Sequence, residues 1–169
     1  MLIRHNKNKR FGGLMPPVIS AFETIGMAKV AKSAEEAKSM LIMRKDDEIT
    51  MNKDRLLADA KAKALKLAED YQPPESNDEI RLPGIAGKLA MMMAVKGYAL
   101  SGKATPHDVT ISEELTDVLS GGDKGDITKT LTEDDILELE YEAFMKLIKT
   151  PESIARIETM LETGKPLRN

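Results

Sequence analysis

The 169-residue sequence has no cysteine, no tryptophan and only two histidines. The first absence excludes disulfides and thiolate metal sites and fits a cytoplasmic protein. With His5 and His107 as its imidazoles, a zinc site would have to recruit carboxylates from across the whole chain, so no metal site is expected. Three Phe and three Tyr leave the core to Leu, Ile, Ala and eleven Met, and methionine fills irregular gaps while specifying packing weakly. Apolar runs approaching the roughly 18 residues of a membrane span are missing. The basic start also lacks the apolar stretch of a signal peptide. Charge of one sign is missing too: 25 Lys+Arg against 28 Asp+Glu gives net −3, which argues against a dedicated nucleic-acid binder. The basic residues that do cluster, Arg4, His5, Lys7, Lys9 and Arg10, read as a solvated, mobile arm over 1–16.

What is present is helical punctuation. Pro16 and Pro17 can open a helix over about 17–28, with Val18, Phe22, Ile25 and Met27 at helical spacing. Ser33 and Glu36 have capping-box spacing, which predicts a short helix to about Leu41. Residues 43–51 are too polar for a buried strand. Asn52 then caps a helix running to about Asp70, in which Leu56, Ala60, Ala64 and Leu67 form one stripe. Residues 72–84 carry Pro73, Pro74 and Pro83 among polar residues and mark a linker between two helical segments, 17–71 and 85–169.

Beyond the linker, a helix from Ile85 is stopped by Gly102. Thr105-Pro106 starts another, striped by Ile111, Leu115, Val118 and Leu119 and stopped by Gly121-Gly122. Thr132 caps a third, with an apolar face of Ile136, Leu137, Phe144, Leu147 and Ile148. Thr150-Pro151 starts the last, striped by Ile154, Ile157 and Leu161 and ended by Gly164. The fold class is therefore all-α, with six to seven helices in two groups.

None of the candidate chemical motifs makes a catalytic constellation. His107 falls in a first helical turn beside Asp108 and reads as an exposed polar residue rather than a base. The loop from Ser120 to Asp126 holds three glycines and two aspartates. It lacks the ending of a phosphate loop and the ligand spacing of a calcium hand, and reads as a helix stop and turn. Glu133, Asp134 and Asp135 sit where the positive end of a helix dipole favours carboxylates.

A wider pattern runs along the chain. Ala21-Phe22-Glu23-Thr24-Ile25, then Ser33-Ala34-Glu35-Glu36-Ala37, then the Ala-rich stretch from Leu56 to Ala68 and the closing stretch from Glu142 resemble the C-terminal portion of the crotonase (enoyl-CoA hydratase/isomerase) superfamily. Leu131-Thr132-Glu133-Asp134-Asp135 through Gly164-Lys165-Pro166-Leu167-Arg168-Asn169 resembles more specifically the end of bacterial bifunctional chains. Those carry a 3-hydroxyacyl-CoA dehydrogenase module first and a crotonase module last. Met1-Leu2-Ile3-Arg4 looks like the interior of such proteins. Where the family pattern has glycines, this sequence has Leu41 and Glu48, a change that costs about 1 kcal/mol at each position if the backbone needs positive φ.

The resemblance implies the C-terminal helical part of a fatty-acid β-oxidation enzyme. In the family, the oxyanion hole and catalytic glutamates lie in a sheet-containing half upstream, and the dehydrogenase needs a Gly-rich dinucleotide turn. This chain carries no counterpart of either, so it implies no catalytic residue and no bound cofactor here, the parent family using NAD and an acyl-CoA substrate. The residues the resemblance places toward a ligand are Lys165 and Arg168, near a coenzyme A phosphate, with a merely solubilising charged tail as the alternative. The expected partners are a second copy or a separately encoded crotonase/dehydrogenase part on which the helices dock. A helical interaction module without an acyl-CoA role is the remaining alternative.

Overall fold

The computed structural model describes residues 13–73 and 79–169, so the expected arm over 1–16 falls largely outside the described residues. The fold class is all-helical, as expected. The α-helices are α1 Met15–Gly26, α2 Ala34–Ser39, α3 Leu56–Ala68, α4 Gly84–Leu100, α5 Pro106–Ser120, α6 Glu133–Leu147 and α7 Pro151–Thr163. Among the described residues the extended backbone pairs only as an isolated antiparallel bridge between Ile80 and Leu131. None of their helices is long and apolar enough to cross a membrane. They form two compact units, one within Met1–Val30 and Asn77–Asn169, the other within Ala31–Ser76. Thus α1 groups with the C-terminal helices, and the units do not follow chain order.

In the larger unit α1, α4 and α5 pack around Val18, Ala21, Phe22, Met91, Val95 and Leu119. Met91 is the one methionine in this buried core among the described residues, so the interior is less methionine-rich than composition suggested. Ile80, Leu82 and Leu131 complete it. The first two lie in the stretch read as linker, yet they are 9% and 2% exposed. They are held there because the Ile80 N–H donates to Leu131 O at 3.0 Å and the Leu131 N–H returns the bond to Ile80 O at 2.8 Å. An extended segment can bury apolar side chains once its backbone polar groups are paired.

Three glycines make that placement possible. Gly121 stops α5 at φ +95°, a single 3₁₀ turn Gly122–Lys124 follows, and Gly125 then lies against the start of α4. A Cβ on Gly84, itself at φ +60°, would stand 2.5 Å from Gly125 O, and a Cβ on Gly125 would collide with Ser120 O. The loop is the helix stop and turn expected, and it is also a packing junction. Its Asp126 carboxylate accepts from the Thr128 N–H and hydroxyl, both at 2.7 Å.

The caps form where the residues call for them. Thr105 with Asp108 and Thr132 with Asp135 make complete capping boxes, and Thr150 Oγ1 accepts from the Ser153 N–H. The smaller unit departs slightly from expectation. Ser33 Oγ accepts from the Glu36 N–H at 3.1 Å, but the Glu36 carboxylate reaches one residue further, to the Lys32 N–H at 2.6 Å. Helix α2 ends at Ser39, and Leu41 takes φ +60° while the Ile42 N–H reaches back to Ala37 O at 2.9 Å. The missing glycine at 41 is therefore a position that does need a left-handed backbone, whereas Glu48 is not among the positive-φ residues. Asn52 caps a 3₁₀ turn, Lys53–Arg55, before α3 begins.

Two stability measurements follow from this geometry. Gly125→Ala should destabilise the protein by about 2 kcal/mol or more in urea unfolding, because the colliding atoms are backbone. An unchanged midpoint would show that the junction yields. Ala28, exposed at φ +47°, should become about 0.5–1 kcal/mol more stable as Ala28→Gly, relief of left-handed strain outweighing the added unfolded-chain freedom.

Candidate functional site

The densest polar meeting point joins the N-terminal turns of α5 and α7. Both helices start with Thr-Pro, and both threonines turn their hydroxyls onto the N–H three residues on. That leaves the next side chains to face each other. His107 Nε2 lies 2.9 Å from Ser153 Oγ, and Ser153 Oγ lies 2.9 Å from Thr150 Oγ1. The Thr150 hydroxyl, with its single proton, lies within donating distance of both Leu147 O at 2.7 Å and Ser153 Oγ. The ring tautomer of His107 sets whether Nε2 donates to Ser153 Oγ or accepts from it, and Leu147 O also accepts from the Thr150 N–H at 3.0 Å.

A pocket of about 440 Å³ opens beside this chain, lined by Pro106, His107, Thr110, Thr150, Glu152 and Asn169. His107 is 5% exposed, which corrects the expectation of an exposed polar residue. The signal was in the sequence: position 107 lies one turn before Ile111, on the same stripe.

A serine beside a histidine invites a nucleophile-base reading, but the geometry assigns the neighbouring carboxylate elsewhere. Asp108 accepts from the Thr105 N–H at 2.9 Å and pairs with Arg156 at 2.8 Å. Partial burial opposes its charge, yet the Thr105 N–H, the Arg156 guanidinium and the Thr105 hydroxyl hold its carboxyl below the usual carboxylate range. Among the described residues no group of three His, Cys, Asp or Glu is placed to hold a metal. What this region does is fasten two helix starts together.

The expected ligand residues divide here. Arg168 donates from Nη2 to Lys103 O at 2.7 Å and sits 3.8 Å from Asp108 Oδ2. Arg156 donates from Nε to Asn169 Oδ1 at 2.7 Å and from Nη2 to Thr105 Oγ1 at 3.2 Å. Asn169 in turn gives its amide N–H to Glu152 O at 3.1 Å. The tail thus folds back onto the starts of α5 and α7, with Arg168 drawn into that network. Lys165 is exposed, and its backbone N–H donates to Thr163 Oγ1. Nothing in the spacing of the sequence pointed to Arg156, because its partners lie 13, 48 and 51 positions away.

The Arg156 hub sets a pH-dependent prediction. A carboxyl whose folded pKa is depressed stabilises the fold above its unfolded value, near 3.9, and loses that contribution as pH falls through the folded value. At neutral pH Arg156→Ala should cost about 2 kcal/mol and raise the Asp108 pKa followed by carboxyl NMR. The stability gap between the two proteins should narrow as pH falls below about 4, where the unfolded chain takes up the proton, and go on narrowing as pH falls through the lower folded value of Asp108. A gap independent of pH would show that Arg156 acts through packing alone.

No family model matches the chain, and no solved structure matches it. A probable 3-hydroxyacyl-CoA dehydrogenase of Bacillus subtilis (strain 168) is 39% identical to it over 155 residues. That stretch is 92% of this chain and 20% of the relative. Through most of its length, then, the chain is similar to one segment of a probable 3-hydroxyacyl-CoA dehydrogenase, and it spans about a fifth of that protein.

Proposed function

We propose that this chain is the helical, non-catalytic part of a fatty-acid β-oxidation enzyme of the 3-hydroxyacyl-CoA dehydrogenase/enoyl-CoA hydratase kind. On this reading it works by docking on a catalytic part that carries the oxyanion hole and the dinucleotide turn. The observation that carries it is the 39% identity over 155 residues to a fifth of a probable dehydrogenase. The exposed large apolar side chains support docking over independent chemistry, since packing against a further part removes such surface from water. So does the Asp108 carboxylate, taken up by Thr105 and Arg156 rather than by His107.

On the same reading NAD and the acyl-CoA thioester are held by the catalytic part, in the cytoplasm. The tail contributes at most a cation toward a coenzyme A phosphate. Lys165, exposed, is better placed for that than Arg168, whose guanidinium already bonds Lys103 O.

The test has two arms. The purified chain alone should turn over neither crotonyl-CoA nor acetoacetyl-CoA with NADH above a buffer control. The Bacillus subtilis relative with its matching segment deleted should be soluble and active only when this chain is co-expressed with it. Turnover by the chain alone would overturn the reading, as would a deleted relative indifferent to the chain.

A further inference from the structure

Within the larger unit, the segment after α7 returns along the helix it has just left. Gly164 ends α7 at φ +68°, a left-handed turn with open space where a side chain would stand. At the far end of the return, the Asn169 side-chain amide donates to Glu152 O at 3.1 Å, in the first turn of α7. Its side-chain and backbone oxygens accept from Arg156 Nε at 2.7 Å and Nη2 at 3.2 Å. Arg168 donates to Lys103 O, just ahead of α5. Lys165–Asn169 therefore spans both helix starts.

Asn169 also lines the pocket of about 440 Å³, together with His107 and Thr150. His107, the one histidine of the described residues, is buried there with its ring against Ser153. An imidazole so enclosed meets a reagent in water only when part of the wall moves, and the parts of this wall are held differently. Helix α5 is tied into the core through Leu119. The tail contributes nothing to that core: Leu167 and Asn169 are half-buried, and Lys165, Pro166 and Arg168 are exposed. Its fastenings are hydrogen bonds at the surface, which water replaces at small net cost, while a short backbone that lets go recovers its conformational freedom.

We propose that Lys165–Asn169 is a strap, hinged at Gly164, that closes the pocket beside His107 and lifts on its own, without unfolding of α5 or α7. Arg156 is the clasp. It bonds Asn169 Oδ1 through Nε and Asp108 through Nη2, so the strap can lift while the Arg156–Asp108 pair joining α7 to α5 stays made. Lifting the strap makes the His107 ring reachable from water, and closing it withdraws the ring again. This device is independent of the acyl-CoA reading.

Carbethoxylation of His107 by diethyl pyrocarbonate at neutral pH, followed by mass spectrometry of the peptide that carries it, reads the opening. In the unaltered chain the rate should be about tenfold or more below that of N-acetylhistidine. It should also stay nearly independent of urea up to the unfolding transition, since lifting so short a segment uncovers little surface. A rate equal to that of N-acetylhistidine would show that the strap covers nothing. A rate that climbs with the full slope of global unfolding would show that the strap never lifts alone. Either result overturns the proposal. Arg168→Ala with Asn169→Ala should raise the rate about fivefold or more while helix content and the urea midpoint are kept. Lys165→Ala should not, because Lys165 is exposed and is bonded through its backbone N–H. An unchanged rate in the double variant also overturns the proposal, and if that variant loses its cooperative transition, the urea series on the unaltered chain decides.

Discussion

The larger unit depends on three backbones coming together where no side chain intervenes, at Gly84, Gly121 and Gly125. Gly121 would place a Cβ 2.8 Å from the Gly125 Cα, and Gly84 and Gly125 exclude each other's side chains in the same way. This contact lets the chain leaving α5 double back across the start of α4. Once it does, the segment before Pro83 runs beside Leu131, the two backbone bonds of the Ile80–Leu131 bridge form, and Ile80, Leu82 and Leu131 reach the core. The bridge is too short to hold by itself. It persists because the glycine junction brings its two sides to the right separation.

From that junction outward, polar order is complete and apolar order is not. Thr105, Thr132 and Thr150 each satisfy a helix start, Lys88 reaches Asp117 between α4 and α5 at 2.7 Å, and Lys124 reaches Asp135 at 2.9 Å. The last pair draws the Asp135 carboxyl far below the usual range, first through the Lys124 hydrogen bond and then through the Thr132 N–H. Among the described residues every buried side-chain nitrogen and oxygen has a partner. Yet α4, which buries Gly87, Met91 and Val95 on one side, turns Ile85, Leu89 and Met93 outward. A helix that is apolar on both sides belongs between two layers, and this unit supplies one of them.

What the sequence made legible was local. Start signals such as Thr105-Pro106 and Thr150-Pro151 act within four residues, so they could be read without knowing the fold, and their helices begin where expected. Nonlocal placement was not legible in the same way. Residues 79–83 read as a connection because prolines and polar residues surround them, while the burial of Ile80 and Leu82 depends on Leu131, some fifty positions on. Periodicity also grouped Leu56, Ala60, Ala64 and Leu67 on one face of α3, as the structure has them. It could not say which side the rest of the unit would hold, since that is decided by Thr50 bonding Asp59 and Glu48 pairing with Lys63. The Lys165 and Arg168 tail shows the same limit. The resemblance singled out two cations, and only the fold shows Arg168 bonded to Lys103 O.

This contrast between polar and apolar order bears on what kind of object the chain is. Hydrogen bonds and caps are short-ranged, so a segment can satisfy them from its own residues. Hydrophobic burial needs a second layer, and a segment that is one layer of a larger body cannot provide it alone. A chain shaped as a free-standing domain would be expected to lose its outward leucines, because exposed apolar strips invite association. Here α4 buries one face in the larger unit and leaves Ile85, Leu89 and Met93 exposed on another. The buried polar groups of the described residues are thus satisfied while apolar faces of the larger unit are left in water, which is why the structure is better read through its surface than through its pocket.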